Sequence, residues 1–256
     1  MTATAPARTK LTLAAIQKGK LAAPPRILIY GPEGIGKTRL ASECDGALLL
    51  DLEKGSAERD VARVKITRYD EVLDIVEALR HEQHEHRVLA IDTVTRLEGL
   101  VFDRICERTG KPSIEDVGGG YGKGYVAAAD EFRLLFARLD ELREQRNMAI
   151  LLLGHSVVRE FKNPEGENYD RYSLRMNEKN LSPLVREWCD LVGFATFDTV
   201  VKKGKGAMTG DRLIYTQRTA AFDAKSRYDL PAEIPLSWAE FSKALRAARA
   251  QKEAAK

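Results

Sequence analysis

Eight residues, Gly31-Pro32-Glu33-Gly34-Ile35-Gly36-Lys37-Thr38, constrain this chain more than any other stretch. Their spacing is G-x-x-x-x-G-K-[ST]. Glycines at those places let successive backbone N–H groups turn inward around a phosphate. Such a loop works only between a strand and a helix. The residues before it, Arg26-Ile27-Leu28-Ile29-Tyr30, are apolar and rich in β-branched side chains, and read as a buried strand. The residues after it, from Thr38 and Arg39 to Glu43, read as a helix whose N-terminus adds partial positive charge. Lys37 is placed to reach β- and γ-phosphates, and the Thr38 hydroxyl to ligate Mg²⁺. Residues 31–39 are thus the expected grip on a nucleoside triphosphate.

The 256 residues give room for one α/β domain with short tails. A net charge of +3 and a pI near 8.7 do not by themselves argue for nucleic acid. No apolar run approaches the roughly 18–20 residues of a membrane span, so no membrane partner is expected. The start, from Met1 to Pro6, lacks a secretory pattern. Cys44, Cys106 and Cys189 lie far apart, as reduced thiols of a cytoplasmic protein do, and read as small buried hydrophobes. His81, His84 and His86 read as a solvated helix end.

Periodicity divides the chain into a tail and short helix over 1–25, a core over 26–235 and a C-terminal helix over 236–256. Within the first, Lys10 to Ala23 has the spacing of a short helix (Leu11, Leu13, Ile16) stopped by Pro24-Pro25. Further buried strands are expected at Ala47–Leu50, Val64–Ile66, Val88–Ile91 and Met148–Gly154. Helices are expected at Tyr69–His81, Glu98–Thr109 and Tyr125–Asn147. Residues 110–124, with Gly118, Gly119, Gly120, Gly122 and Gly124 close together, read as a loop. The polar stretch 157–180 shows little periodicity. Two later strands, Leu191–Val201 and Arg212–Gln217, flank a basic hairpin, Lys202-Lys203-Gly204-Lys205. Strands alternating with helices predict an α/β fold: a mostly parallel central sheet with helices on both faces. Ligands bind past the carboxyl ends of such strands, where the phosphate loop, Glu53, Asp92 and His155 should meet.

Asp92 closes an apolar strand and can hold the metal opposite Thr38. Hydrolysis needs a group that orients and polarises water. Glu53, just past the second strand, suits it, and Asp51 competes for the role. His155 can touch the γ-phosphate and relay its loss to the segment that follows, although a histidine there also serves as a hydrogen-bonded core group.

Four segments together resemble the RecA-type recombinase core, in particular the reduced, phage-encoded RecA-like P-loop ATPases grouped with single-strand annealing proteins. They are Gly31–Thr38, Asp51-Leu52-Glu53, Asp92-Thr93 and Ala224-Lys225-Ser226-Arg227-Tyr228-Asp229-Leu230-Pro231. The resemblance implies ATP and Mg²⁺ as cofactors, Lys37 and Glu53 as catalytic groups, and Lys225 and Arg227 as cations reaching a neighbouring subunit's γ-phosphate. A histidine at 155, where RecA usually has an amide, leaves the sensing role of that position open. On a strand, residues 225 and 227 share a face; as an alternative they form a solvated pair. The resemblance further implies self-association into a filament or ring, with ATP at the subunit interface. Single-stranded DNA, and with it a single-strand-binding protein, are the expected partners, in the host cytoplasm if the chain is phage-encoded.

RecA-like cores bind single strands with two loops, here 110–124 and 157–179. Lys111, Tyr121 and Lys123 in the first, and Arg159, Phe161, Lys162 and Arg171 in the second, combine cations with aromatic faces on which bases stack. Acids of the second loop offset its charge. Two readings stand beside this one: a nucleotide-switched loader or regulatory ATPase acting on protein partners, and, least favoured, a small-molecule kinase.

Overall fold

The computed structural model describes residues 12–16, 18, 23–202 and 205–254. Five strands and four helices build the first half: β1 (Arg26–Gly31), α1 (Lys37–Ser42), β2 (Ala47–Asp51), β3 (Ala62–Lys65), α2 (Tyr69–His81), β4 (Val88–Asp92), α3 (Val94–Thr109), α4 (Lys123–Arg146) and β5 (Ala149–Phe161). Then follow β6 (Tyr169–Leu174), α5 (Leu181–Trp188), β7 (Leu191–Lys202), β8 (Lys205–Tyr215), β9 (Lys225–Ser226), β10 (Glu233–Pro235) and α6 (Trp238–Ala254). One sheet runs in the order β10-β8-β7-β1-β5-β4-β2-β3, with β6 on β5 and β9 on β7. β3, β2, β4, β5, β1 and β7 are mutually parallel, and the remaining pairings are antiparallel. The α/β class and the mostly parallel sheet agree with the sequence.

Alternation along β1 explains why both faces are covered. Leu28 and Tyr30 point into a core shared with α2, α3, α4 and α5, while Ile27 and Ile29 point into one shared with α1 and α6. A strand apolar on both sides has to be roofed on both sides. On α4, Phe132, Leu135, Leu139 and Leu142 are all fully buried, and truncating one such leucine to alanine costs about 2–5 kcal/mol.

Several boundaries differ from the expected ones. Helix α3 begins at Val94 because Thr93 caps it, its hydroxyl accepting from the Arg96 amide at 3.2 Å. It ends at Gly110, whose φ of 65° suits glycine. Within the glycine-rich stretch, Ile114–Gly119 forms 3₁₀ turns and α4 starts at Lys123. The segment 157–180 is no irregular loop. β5 continues past Gly154 to Phe161 and returns as β6, a hairpin standing beyond the sheet. The short helix α5 carries no signal used above. β8 begins at Lys205, well before Arg212. Lys203 and Gly204 of the basic hairpin lie outside the described residues, as do 1–11. Of the N-terminal helix, the described part is a 3₁₀ turn, Leu13–Ala15, with Leu13 and Ile16 exposed. Cys44 and Cys189 are buried and Cys106 is half-buried. Among the described residues no helix is long and apolar enough to cross a membrane.

Candidate nucleotide site

The parallel register brings four strand ends together. Gly31 pairs with His155, Asp51 with Asp92, and Asp92 with Leu153. Gly31 is required for packing. A Cβ there would lie 2.1 Å from the Ala195 carbonyl oxygen of β7. Gly34 and Gly36 have φ of 74° and 112°, where side chains are strained, and they turn the loop over the end of β1. Ile35 is fully buried and pins the loop to the core, while Pro32 contributes its carbonyl.

Lys37 is buried, its Nζ donating to the carbonyls of Gly31 at 3.0 Å and Pro32 at 2.8 Å. Burial lowers its pKa to about 8, against the upward pull of Asp92, Glu53 and Glu33. A buried ammonium whose near partners are two main-chain carbonyls and a histidine ring nitrogen, with no ion pair, is a strong site for an anion. The Thr38 hydroxyl donates to Asp92 Oδ2 at 2.6 Å. Burial raises the Asp92 pKa, the Thr38 hydrogen bond opposing. Among the described residues no cluster of three or more His, Cys, Asp or Glu is placed to hold a metal. A hydroxyl and one carboxylate on hydrogen-bond contact suit Mg²⁺, a hard ion that completes its shell with water and phosphate oxygens.

The two acids after β2 are separated by what they touch. Asp51 is buried and accepts from the Ser56 hydroxyl at 2.6 Å and from the amides of Gly55 and Ser56, which closes the turn after β2. Glu53 lines the cavity. Its carboxylate accepts from the Thr93 hydroxyl at 2.5 Å and lies 2.9 and 3.0 Å from His155 Nε2. Burial alone raises the Glu53 pKa, but hydrogen bonds from His155 and Thr93 outweigh it and hold the carboxyl below its usual range. His155 Nδ1 faces Lys37 Nζ at 3.5 Å. A proton on Nε2 lets the ring donate to Glu53 and accept from Lys37. His155 therefore sits between the phosphate-loop lysine and the glutamate, with its amide donating to the Thr95 hydroxyl at 3.1 Å.

The cavity is about 1090 Å³. Arg39 lines it while paired with Glu43 at 2.7 Å. Sequence reasoning missed further cations on its wall: Lys54, Arg59, Arg96, Arg175 and Arg212. Arg212, on β8, stacks over the Phe197 ring at 5.4 Å, and a nitrogen of its guanidinium lies 3.0 Å from where a Gly36 Cβ would be. Arg175, which falls within the 157–179 segment, pairs with Glu33 of the phosphate loop at 3.1 Å. No local pattern marks either one, because antiparallel pairing far along the chain delivers them.

A family model described as an AAA domain matches residues 23–228, most of the chain. This chain belongs to the AAA domain family. AAA membership makes it a P-loop ATPase that binds nucleotide, and the matched span holds the phosphate loop, Asp92, Glu53 and the Lys225–Arg227 pair. No curated protein matches it.

Lys225 and Arg227 lie elsewhere on this AAA domain. Lys225 pairs with Val192 and Ser226 with Leu191, at the first residues of β7, level with Ile27 and Leu28 of β1. Both cations thus sit toward the amino end of the sheet, away from their own phosphate loop. Lys225 Nζ donates to the Glu187 carbonyl at 3.2 Å, and burial lowers its pKa. Arg227 pairs with Asp190 at 3.1 Å and keeps over half of its side chain exposed. β9 spans only two residues, so Arg227 lies just beyond it.

The second expected DNA loop needs correction. Arg171 is buried, ion-paired with Asp223 and stacked over Phe161, whose ring packs on Tyr169. Arg159 is paired with Glu178 at 2.7 Å and donates to the Met176 carbonyl. These groups are engaged in contacts that build the hairpin. Of the four, Lys162 is exposed, beside exposed Glu160, Glu165, Glu167 and Asp170. In the first loop Lys111 and Lys123 are exposed, and Tyr121 is fully so.

Proposed function

We propose that this AAA domain is a RecA-like ATPase whose turnover is stimulated by single-stranded DNA and which supports recombination or annealing in a phage context. The observation that carries the hydrolytic part is the contact chain Lys37–His155–Glu53–Thr93 beside Thr38–Asp92. Glu53 is the base. It is ionised, it borders the cavity, and its two donors fix the direction in which its carboxylate faces. Lys37 leaves the two carbonyls for the phosphates, and His155 then follows the change in charge from Lys37 to Glu53. Thr38 and Asp92 would hold Mg²⁺, which would supply positive charge against the phosphates.

Lys225 and Arg227 serve a neighbouring copy in head-to-tail contact. Their placement at the amino end of the sheet supports this, since a heterologous contact sets that end against the next copy's carboxyl end. It generates a filament or a ring. DNA lies along Lys111, Tyr121 and Lys123, where exposure favours stacking and phosphate contact. A single-strand-binding protein is a natural companion on the same strand. ATP turnover measured with and without single-stranded DNA tests the reading, and unchanged turnover removes the DNA-dependent part.

One observation favours a second reading, an ATPase that switches a protein partner. The face of the hairpin bearing Val158 and Tyr172 is exposed and is flanked by Glu160 and Asp170. An apolar acidic face repels a phosphate backbone and suits a basic protein.

A further inference from the structure

We infer that Arg175 is a catalytic residue supplied by the same protomer: on nucleotide binding its guanidinium exchanges Glu33 for the terminal phosphate, and that exchange carries nucleotide state into the β5–β6 hairpin. The inference rests on the ATPase reading above and names a group that reading does not use.

The ladder between β5 and β6 ends with Ser156 paired to Leu174, next to His155 and Arg175. The Arg175 amide donates to the His155 carbonyl at 2.8 Å. Opposed residues of an antiparallel pair share a face, and both side chains line the nucleotide cavity. Arg175 is therefore held by its backbone at the rim of the site, one strand away from the ring that bridges Lys37 and Glu53.

Its present partner is replaceable. Glu33 belongs to the phosphate loop, and the Arg175 and Glu33 side chains are 47% and 70% exposed. An exposed ion pair is weak. A guanidinium meeting a multiply charged phosphate in a partly closed cavity forms stronger, two-pronged hydrogen bonds. The repulsion that Arg175 exerts on the buried Lys37 amine is relieved when phosphate charge lies between them.

The base of the hairpin is tied so that a shift of Arg175 is felt along it. Met176 accepts from Arg159 at 3.0 Å, and the Asn177 amide donates to Glu98 of α3 at 2.6 Å. Leu174 packs where a Cβ on Gly154 would be, at 2.5 Å. Moving Arg175 therefore pulls on the strand that carries Tyr172 and Asp170.

The test uses the whole chain, Arg175→Ala and Arg175→Lys, with ATP for turnover and a non-hydrolysable ATP analogue for binding and hydrogen exchange. For Arg175→Ala, kcat should fall about 10²–10³-fold while analogue affinity stays within several-fold. Arg175→Lys should recover part of the loss. In the wild type, the analogue should slow amide exchange over residues 156–174, and Arg175→Ala should abolish that response. Wild-type turnover in Arg175→Ala, or a hairpin that responds to analogue as before, overturns the inference and leaves the ATPase reading standing. A wild-type chain that neither binds nor hydrolyses ATP overturns both.

Discussion

At the carboxyl end of the sheet, Lys37, Arg175 and Arg212 surround a cavity in which basic side chains outnumber carboxylates. At the amino end, Arg26 and Arg227 converge on Asp190, and Arg26 and Arg143 on Asp140. Both ends gather arginines and dispose of them differently. Asp190 is nearly buried, and Arg26 grips it with backbone amide and guanidinium together, at 2.8–3.2 Å. That cluster locks β1 to β7 and leaves Arg227 as its most exposed cation. At the other end Lys37 and Arg175 lean on partners that a ligand can displace, namely main-chain carbonyls and an exposed glutamate. A count of charges in the sequence does not separate a clamp from a binding site. The replaceability of each partner does.

The largest expected effect lies at the amino end, and it breaks the comparison if absent. Arg227→Ala should cut ATP turnover by about 10³–10⁵, the range of a finger given in trans, with nucleotide affinity nearly intact. Asp190 keeps Arg26, so the fold should hold. Glu53→Gln should lower turnover by about 10²–10⁴, as loss of a general base does, again with binding retained. Mixing the two inactive variants sharpens the point. An interface pairing Glu53 of an Arg227→Ala copy with Arg227 of a Glu53→Gln copy is complete, so turnover should partly return. No recovery at any mixing ratio assigns Arg227 to the clamp alone.

Smaller effects distinguish the two loop regions. Tyr121→Ala should weaken single-strand binding by about 1–3 kcal/mol. Lys123→Ala should flatten the salt dependence by about 0.7 in slope. Arg171→Ala should instead lower thermal stability, because its guanidinium is buried against Asp223. A steep loss of DNA affinity without loss of stability in that variant would reverse the assignment.

Glu98 gives an effect on stability alone, confined to a window of pH. Burial pushes its carboxyl up to about 7, against the hydrogen bond from the Asn177 amide. A carboxyl raised in the folded state contributes stability that is present below its unfolded value, 4.5, and is lost as pH rises through about 7. Glu98→Gln should therefore gain on the wild type across that window, by about 1–3 kcal/mol. Denaturant melts at pH 4.5 and 8 measure the difference, and parallel curves would contradict it.

Much of this was legible locally. The phosphate loop, the apolar runs of β1, β2 and β4, and the helix at Tyr69–His81 depend on neighbours in sequence. What stayed hidden depends on partners brought from afar. Asp51 and Glu53 look alike until Ser56 captures one of them. Arg171 looks like a free cation until Asp223 arrives from fifty residues on. The hairpin was hidden because Val157 and Val158 break any clean alternation of apolar and polar, and Glu160 lies opposite Asp170, a like-charge pairing that cross-strand contact disfavours. Arg175 and Arg212 reach the cavity only through antiparallel returns.

The first glycine of the phosphate loop has a meaning separate from chemistry. Any side chain at position 31 would wedge β7 off β1 at the Ala195 carbonyl. A descendant that abandoned nucleotides altogether would still have to keep Gly31 to hold its sheet shut, whereas the Thr38 hydroxyl would be needed only as long as the Asp92 carboxylate stayed beside it. Persistence of the glycine alone would then be a fossil of architecture, and only the hydroxyl would testify to a living enzyme.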